Sequence, residues 1–284
     1  MNLAYRIVNV FTVGDDPFSG NPLAVFADGA HLTDDQMQGL ARQMNLSETT
    51  FVVRRREDGA DADVRIFTPA HEMPFAGHPT LGTAYVVSSL FGDGGTVVLR
   101  MPAGRVPVSH NGSHWVLTTA VAPSTAPVAA SRAELAAAVG LAVGDLADVD
   151  ALWVDTGTEQ LILPVRSPEA VRAAEPDVRL LRGLGEARAL STLVDVWAPT
   201  GETTVEARVF YVQGSSVVED PATGSALANL GGWYHHHGER GISRTIRQGA
   251  AVDRPSELFL EVDALGAIRV GGAVHEIGAG VLVI

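Results

Sequence analysis

The chain contains no cysteine among its 284 residues. This absence excludes a disulfide framework, thiolate zinc sites and thiol nucleophiles. Basic residues are also scarce, because 20 Lys and Arg face 33 Asp and Glu and leave a formal charge of −13. Such a charge argues against nucleic acid and anionic membrane surfaces as partners. The sequence lacks the layout of a signal peptide and any apolar run of about 20 residues that would span a bilayer, so we expect a cytoplasmic protein.

Motifs for cofactors and metals are missing as well. No glycine-rich dinucleotide-binding motif follows the first predicted strand, so the sequence shows no binding site for a nicotinamide cofactor. Three consecutive histidines occupy positions 235–237. Neighbouring helical residues point about 100° apart, and three of them in a row are poorly placed to chelate one ion. We therefore predict no metal and no cofactor.

The hydrophobic pattern predicts alternating strands and helices around a real core, since 46% of the residues are hydrophobic. Strands are indicated by YRIVNVFTV, LAVFAD, ETTFVVRR and ADVRIFTP, and a β-meander by residues 95–119. Helices are predicted after a Thr33 cap, from the Gly-His-Pro segment to Gly92, over residues 132–140, and from near Gly224.

The chain is predicted to form two α+β lobes that arose by internal duplication. The Ala-, Pro- and Ser-rich segment 121–131 is the predicted linker. It separates an N-terminal lobe (1–122, joined by the last strand at about 277–284) from a C-terminal lobe (123–276). Both halves run through strands, a glycine-rich turn, an Ala-rich helix and further strands. Aligning EMPFAGHPTLGTA with EDPATGSALANLG matches Glu72 with Glu219, Pro74 with Pro221, Gly77 with Gly224, and His78 with Ser225.

The matched positions fall where a strand gives way to a helix. Backbone N–H groups at a helix start have no intrahelical partner, and the helix dipole adds partial positive charge. Gly77 and Gly224 let a ligand approach that backbone closely. Each junction therefore predicts a cradle for a carboxylate or oxyanion. If the two lobes face each other, both cradles point into one cleft.

Four side chains near these junctions are suited to moving protons on carbon: Glu48, His78, Asp220 and Ser225. A desolvated glutamate and a histidine titrate in the range useful for acid–base chemistry. Each also has an ordinary structural reading. Glu48 is consistent with strand-edge polarity, His78 and Ser225 with helix capping, and Asp220 with a turn before proline. Their grouping at the duplicated junctions favours the functional reading.

Taken together, the segments resemble the PhzF-like family, named for phenazine biosynthesis, within the diaminopimelate epimerase-like fold. The resemblance rests on VNVFTVGDDPFSGNPLAVF, NLSETTFVV, FTPAHEMPFAGHPTLGTAYV, EDPATGSALANLGGWY and RQGAAVDRPSEL, which occur in the family's order. It implies two pseudo-symmetric lobes, each a strongly curved and mostly antiparallel sheet or barrel around a central helix. It also implies a homodimer.

The resemblance further implies a cofactor-free isomerase acting on trans-2,3-dihydro-3-hydroxyanthranilate or an analogous small acid. The family's acid–base glutamate maps onto Glu48, and its histidine, aspartate and serine map onto His78, Asp220 and Ser225. We expect the substrate to be bound at Asn21, Gly77, Gly224 and Gln248.

Two other functions stay open at this point. One is an amino-acid epimerase or racemase, which would have to work without the two cysteines that the best-known epimerase of this fold uses. The other is a module that binds a small acid without turnover. The sequence does not name the substrate, because no motif identifies the residues that would contact it.

Overall fold

A computed structural model of the chain describes residues 1–57, 59–92, 95–186, 188 and 192–284. The chain divides into two compact units, which we call the first unit (Met1–Thr118 with Gly271–Ile284) and the second unit (Thr119–Val270). The domain ranges given by the sequence analysis, 1–122 with 277–284 and 123–276, stay predictions.

The first unit contains nine strands and two helices among its described residues. Its strands are β1 (Asn2–Val10), β2 (Asn21–Phe26), β3 (Glu48–Glu57), β4 (Ala60–Phe67), β5 (Glu72–Met73), β6 (Thr96–Met101), β7 (Gly104–His110), β8 (Trp115–Thr118) and β18 (Val274–Val283). Its helices are α1 (Asp34–Met44) and α2 (Gly77–Phe91).

The second unit repeats this plan with two further helices. Its strands are β9 (Ser124–Pro127), β10 (Leu152–Asp155), β11 (Gln160–Pro164), β12 (Leu193–Pro199), β13 (Thr204–Gln213), β14 (Ser216–Asp220), β15 (Ile242–Gln248), β16 (Ser256–Val262) and β17 (Ile268–Gly272), the last of which ends in the first unit. Its helices are α3 (Arg132–Ala138), α4 (Pro168–Ala173), α5 (Val178–Glu186) and α6 (Gly224–His236).

The strands of the two units are joined in the same way. In the first unit β1–β2 is antiparallel, β2–β3 parallel, β3–β4 and β4–β5 antiparallel, β4–β6 parallel and β6–β7 antiparallel. In the second unit the pairs β10–β11, β11–β12, β12–β13, β13–β14, β13–β15 and β15–β16 follow the same sequence of orientations. The predicted duplication and the pseudo-symmetric α+β fold are therefore confirmed at the level of topology.

Each unit has a buried central helix on one side of its sheet and, on the other side, one flanking helix in the first unit and three in the second. The central helices α2 and α6 bury most of their residues, as expected for helices that are apolar all round. In the first unit α1 covers a cluster in which the Phe26 and Phe51 rings stack with centroids 5.0 Å apart. In the second unit Leu135, Val171 and Leu181, from the three flanking helices, share a core with Trp153.

Local sequence signals explain where several helices begin. Thr33 caps α1 and forms a capping box with Gln36, and Ser131 does the same for α3 with Glu134. The predicted helices over 132–140, from the Gly-His-Pro segment and from near Gly224 are all present.

Two features of the second unit differ from the sequence analysis. The segment 121–131 is not a plain linker, because β9 forms within it and pairs antiparallel with β10. Pairing with a neighbouring strand decides the structure there in spite of the Pro- and Ala-rich composition. The helices α4 and α5 were not predicted, although Ser167 and Pro168 form a typical helix start.

Candidate active site

The first unit brings Glu48 and His78 together. Glu48 is the first residue of β3 and His78 is the second residue of α2. The His78 Nδ1 and a Glu48 carboxylate oxygen lie 3.5 Å apart, and the two side chains are only 6% and 16% exposed. Thr50 lies two residues after Glu48 and bonds Thr83 of α2. Because alternate residues of a strand share a face, Glu48 and Thr50 both face the central helix.

His78 is neutral at physiological pH. Burial lowers the pKa of its imidazole to about 3, and the carbonyl of Pro22 opposes this shift only in part. The contact with Glu48 is therefore not an ion pair, despite its short distance. A neutral imidazole can donate or accept a hydrogen bond beside this shielded carboxylate.

Asn21 holds the residue that precedes Glu48. It is the first residue of β2, is almost fully buried, and accepts a hydrogen bond of 3.0 Å from the Ser47 hydroxyl. β2 lies parallel to β3, with Leu23 opposite Glu48. Gly77 is the first residue of α2, and its neighbour Ala76 offers no side-chain cap. The N–H groups of the first turn of α2 thus lie next to the Glu48–His78 pair.

In the second unit, Asp220 and Ser225 lie on the two sides of a tight turn. Asp220 ends β14, and Thr223 lies just before α6. The Thr223 hydroxyl donates to the Asp220 carboxylate at 2.5 Å. Thr223 does not cap the helix through its side chain. As in α2, the N-cap residue of α6 provides no side-chain hydrogen bond to the N–H groups of the first turn.

Gln248 braces this turn. Its amide nitrogen donates to the Asp220 carbonyl at 2.8 Å and to the Thr223 hydroxyl at 3.1 Å, and its oxygen accepts from the Thr223 N–H at 3.3 Å. The next residue, Gly249, has φ of +80°, and a Cβ there would lie 2.4 Å from the Pro221 carbonyl oxygen. Gln248 therefore has a visible structural role. The role of Gln248 as a substrate ligand stays a prediction.

Ser225 is held by a residue that sequence reasoning missed. It is the second residue of α6, and its Oγ accepts a hydrogen bond of 2.8 Å from the amide nitrogen of Gln160 on β11. Gln160 is completely buried. A glutamine 65 positions away carries no local signal of this contact; only the alignment of β11 beside β12 near α6 brings the two together.

An arginine–glutamate pair supports each helix start. Arg65 of β4 makes two hydrogen bonds to Glu72 of β5, at 2.7 and 2.6 Å. In the second unit, Arg208 of β13 pairs with Glu219 of β14, with a shortest distance of 2.7 Å. Each guanidinium also lies over the ring of the phenylalanine two residues later on its own strand. The Glu72–Glu219 match in the alignment is thus a structural repeat that positions the strand before each helix.

The histidines at 235–237 do not converge. His236 Nδ1 lies 2.8 Å from the Thr125 hydroxyl, His235 contacts Arg240, and His237 packs on Trp233. Among the described residues, no group of three or more His, Asp or Glu is arranged to hold a metal ion. None of the helices in the described residues is long and apolar enough to cross a membrane.

Comparison with known proteins identifies the family of this chain. Residues 8–284 match the family model described as phenazine biosynthesis-like protein. The chain is 37% identical to an uncharacterized isomerase of Pasteurella multocida, over 98% of this chain and 93% of that protein. It is 34% identical to the trans-2,3-dihydro-3-hydroxyanthranilate isomerase of Pseudomonas aeruginosa, over 94% and 95% of the two chains.

Solved structures agree on the fold. A PhzF-family phenazine biosynthesis protein of Bacillus anthracis superimposes with a TM-score of 0.86 at 24% identity, covering all of both chains. A hydroxyproline epimerase of Agrobacterium vitis superimposes with a TM-score of 0.65 at 13% identity, covering 99% and 91%. The second likeness extends the shared fold to epimerases. From the family match and its isomerase relatives, this chain is an isomerase and a member of the phenazine biosynthesis-like PhzF family.

Proposed function

We propose that this enzyme isomerises a small unsaturated carboxylic acid without a cofactor, in a reaction similar to that of trans-2,3-dihydro-3-hydroxyanthranilate isomerase. The observation that carries the proposal is the buried pair of Glu48 and neutral His78 at the start of α2. The identity to relatives that bear this enzyme name supports the choice of substrate class.

Glu48 is the group that moves the proton. Its carboxylate removes a proton from carbon, the electron pair of the broken C–H bond forms a new double bond to the adjacent carbon, and the π pair of the old double bond moves to the carbon that receives the proton. The resulting carboxylic acid returns the proton to a different carbon, so that no atom is gained or lost. His78 stays neutral and donates or accepts a hydrogen bond to a substrate hydroxyl or amine, as a neutral imidazole can.

The remaining residues bind the substrate. Asp220, fixed by Thr223, accepts hydrogen bonds from a substrate amine or hydroxyl. Ser225 and the N–H groups near Gly77 and Gly224 donate to the carboxylate or to charge that develops in the transition state. That both sets of residues act on one substrate stays a prediction.

The direct test follows the proton with the Glu48→Gln variant. Wild-type enzyme and variant are incubated in D₂O with trans-2,3-dihydro-3-hydroxyanthranilate and related cyclic acids, and turnover and label are measured by NMR. We expect the variant to lose about 10²- to 10⁴-fold in kcat, the usual contribution of a general base. Glu257→Gln, a partly exposed surface glutamate paired with Arg247, is the matched control. Wild-type turnover by Glu48→Gln would rule out the proposed role.

Epimerisation is a second candidate, favoured by the presence of another carboxylate, Asp220, beside the second helix start. The structural likeness to a predicted epimerase of Pseudomonas aeruginosa, with a TM-score of 0.82 at 29% identity, supports it as well. The two reactions differ in where solvent deuterium enters. An epimerase labels the α-carbon of an amino acid and inverts it, whereas an isomerase of the proposed kind labels the carbon at which the double bond disappears.

The family resemblance also leads us to propose a homodimer. Sedimentation equilibrium or light scattering at several protein concentrations measures the mass directly. A single species of 29.8 kDa at all concentrations would contradict it.

A further inference from the structure

We propose that Gln160 is a positioning residue that orients the Ser225 hydroxyl as a donor to the substrate carboxylate. This inference rests on the proposed function, in which Ser225 contacts the substrate. It adds a residue of β11 to the binding machinery and gives the second helix start a preference for anionic acceptors.

The contact is direct and partly buried. Gln160 Nε2 lies 2.8 Å from Ser225 Oγ, and no part of Gln160 is exposed. The next residue along the strand, Leu161, lies in the core on the opposite face, beneath the flanking helices. Because successive strand residues point to opposite faces, Gln160 faces α6.

The direction of this hydrogen bond fixes what Ser225 offers to a ligand. A serine hydroxyl has one hydrogen to donate and two lone pairs that accept. Its oxygen accepts from Gln160, so its own hydrogen is available for another acceptor. Ser225 lies in the first turn of α6, where unpaired backbone N–H groups also donate. The hydroxyl and the backbone therefore present the same polarity, and a carboxylate is the ligand that uses both.

The first unit shows what this position looks like without the amide. Leu23 faces Glu48 in the pairing of β2 with β3, and Leu161 faces Val194 in the pairing of β11 with β12. The registers of β3–β4 and β12–β13 make Glu48 equivalent to Leu193, the residue before Val194. Gln160 likewise comes directly before Leu161, so Leu23 is its counterpart in the first unit. The side chain at the start of α2 is the imidazole of His78, held by burial. A leucine on the neighbouring strand is therefore enough in the first unit. The serine hydroxyl of the second unit rotates freely and needs a hydrogen-bond partner to fix its direction.

A second observation points the same way. The other amide atom of Gln160, Oε1, is buried and makes no hydrogen bond. Burying an amide with an unmet acceptor is unfavourable for folding, so leucine would serve the core better. The contact with Ser225 accounts for a glutamine at this place.

The experiment compares Gln160→Met, which keeps the size and removes the donor, with Ser225→Ala and with the double variant. Binding of 3-hydroxyanthranilate and of its neutral amide is measured by calorimetry. We expect Gln160→Met to weaken binding of the carboxylate about tenfold, the loss of one well-oriented hydrogen bond to a charged group. Binding of the amide should change less than about twofold, within the small net worth of a neutral hydrogen bond. Gln213→Met, at the exposed end of β13, is the control and should match wild type.

The double variant separates positioning from general damage. If Gln160 acts through Ser225, Gln160→Met has no further effect once Ser225 is alanine. Equal losses in both backgrounds would overturn the inference while leaving Ser225 as a substrate ligand.

A measurement without ligand keeps the inference distinct from the proposed function. Crystal structures of wild type and Gln160→Met should show one Ser225 rotamer in the first and more than one in the second. An unchanged single rotamer in the variant would overturn the positioning role. If the rotamers change as expected but wild type binds neither probe, the proposed substrate class is wrong, and the orienting contact stands.

Discussion

The two units build the same strand connections around a central helix but place different chemistry at its start. The first unit has an imidazole at the second position of α2, next to Glu48. The second has a hydroxyl at the second position of α6, next to Gln160. The strand register gives Glu48 the apolar counterpart Leu193. The two units thus have equivalent helix starts with different side chains, and in the proposed function the first transfers the proton and the second binds the ligand.

The supporting pairs differ in depth as well. Arg65 and Glu72 are 24% and 32% exposed, and Arg65 also reaches Asp34. Arg208 and Glu219 are 15% and 8% exposed, and Arg208 also bonds the Ala174 carbonyl. We therefore expect the stability of the second unit to depend more on its arginine–glutamate pair, because the charges of that pair are less solvated.

The largest expected effect is the difference in kinetic constants between variants at the two helix starts. His78→Asn should lower kcat by about 10²-fold or more, because it removes a group next to the general base. Ser225→Ala should instead raise KM about tenfold with little change in kcat, as expected for a contact made equally in ground and transition states. Steady-state kinetics with the best substrate of the panel provides both constants. Equal effects on kcat from both variants would contradict the division of labour.

The next prediction compares the two arginine–glutamate pairs. Glu219→Gln leaves the buried Arg208 without its counter-charge and should cost about 3 kcal/mol of unfolding free energy. Glu72→Gln should cost about 1 kcal/mol, since Arg65 is better solvated and keeps Asp34. Urea unfolding of each variant measures the difference. A matched control is Glu257→Gln, whose pair with Arg247 is largely exposed. A larger loss for Glu72→Gln than for Glu219→Gln would reverse the ranking.

A third prediction concerns Asp195, the counterpart of Thr50 in the strand register. Thr50 bonds Thr83, the seventh residue of α2, whereas the seventh residue of α6 is Leu230. Asp195 therefore has a buried oxygen without a hydrogen bond, and burial raises its pKa to about 8. The folded state keeps this proton up to about pH 8, while the unfolded chain releases it near its ordinary pKa. The stability that the proton provides at low pH is thus lost as the pH rises toward 8.

Asp195→Asn removes that titration. The variant should gain stability over wild type by up to about 1.4 kcal/mol for each pH unit between pH 5 and pH 8, because only the folded wild type has to hold a proton there. Denaturant unfolding at the two pH values measures the change. His78 works in the opposite direction, because its lowered pKa makes the folded state lose stability as the pH falls below 6.5. An Asp195→Asn variant with the same pH dependence as wild type would refute the assignment.

The sequence allowed the duplication, the fold and the Glu48–His78 pair to be predicted, because each depends on local signals. The Gly-His-Pro and Thr-Gly-Ser segments mark helix starts, and alternating apolar residues mark most strands. The partners of these residues were not predictable in the same way. Gln160 and Arg208 reach the second helix start through strand register, which single-sequence patterns do not specify. The neutrality of His78 depends on burial, which is also a property of the folded chain.

The smallest expected effect tests how tightly each central helix is packed. A Cβ at Gly82 of α2 would lie 2.7 Å from a Leu23 methyl, and a Cβ at Gly231 of α6 would lie 2.7 Å from an Ile268 methyl. Alanine favours the helix by about 1 kcal/mol over glycine, but overpacking costs about 1–3 kcal/mol. We expect Gly82→Ala and Gly231→Ala each to destabilise by about 1 kcal/mol net. Gly39→Ala in α1, where a Cβ meets no atom within 4 Å, should instead stabilise. Stabilisation by all three alanines in thermal unfolding would show that the central helices are loosely packed.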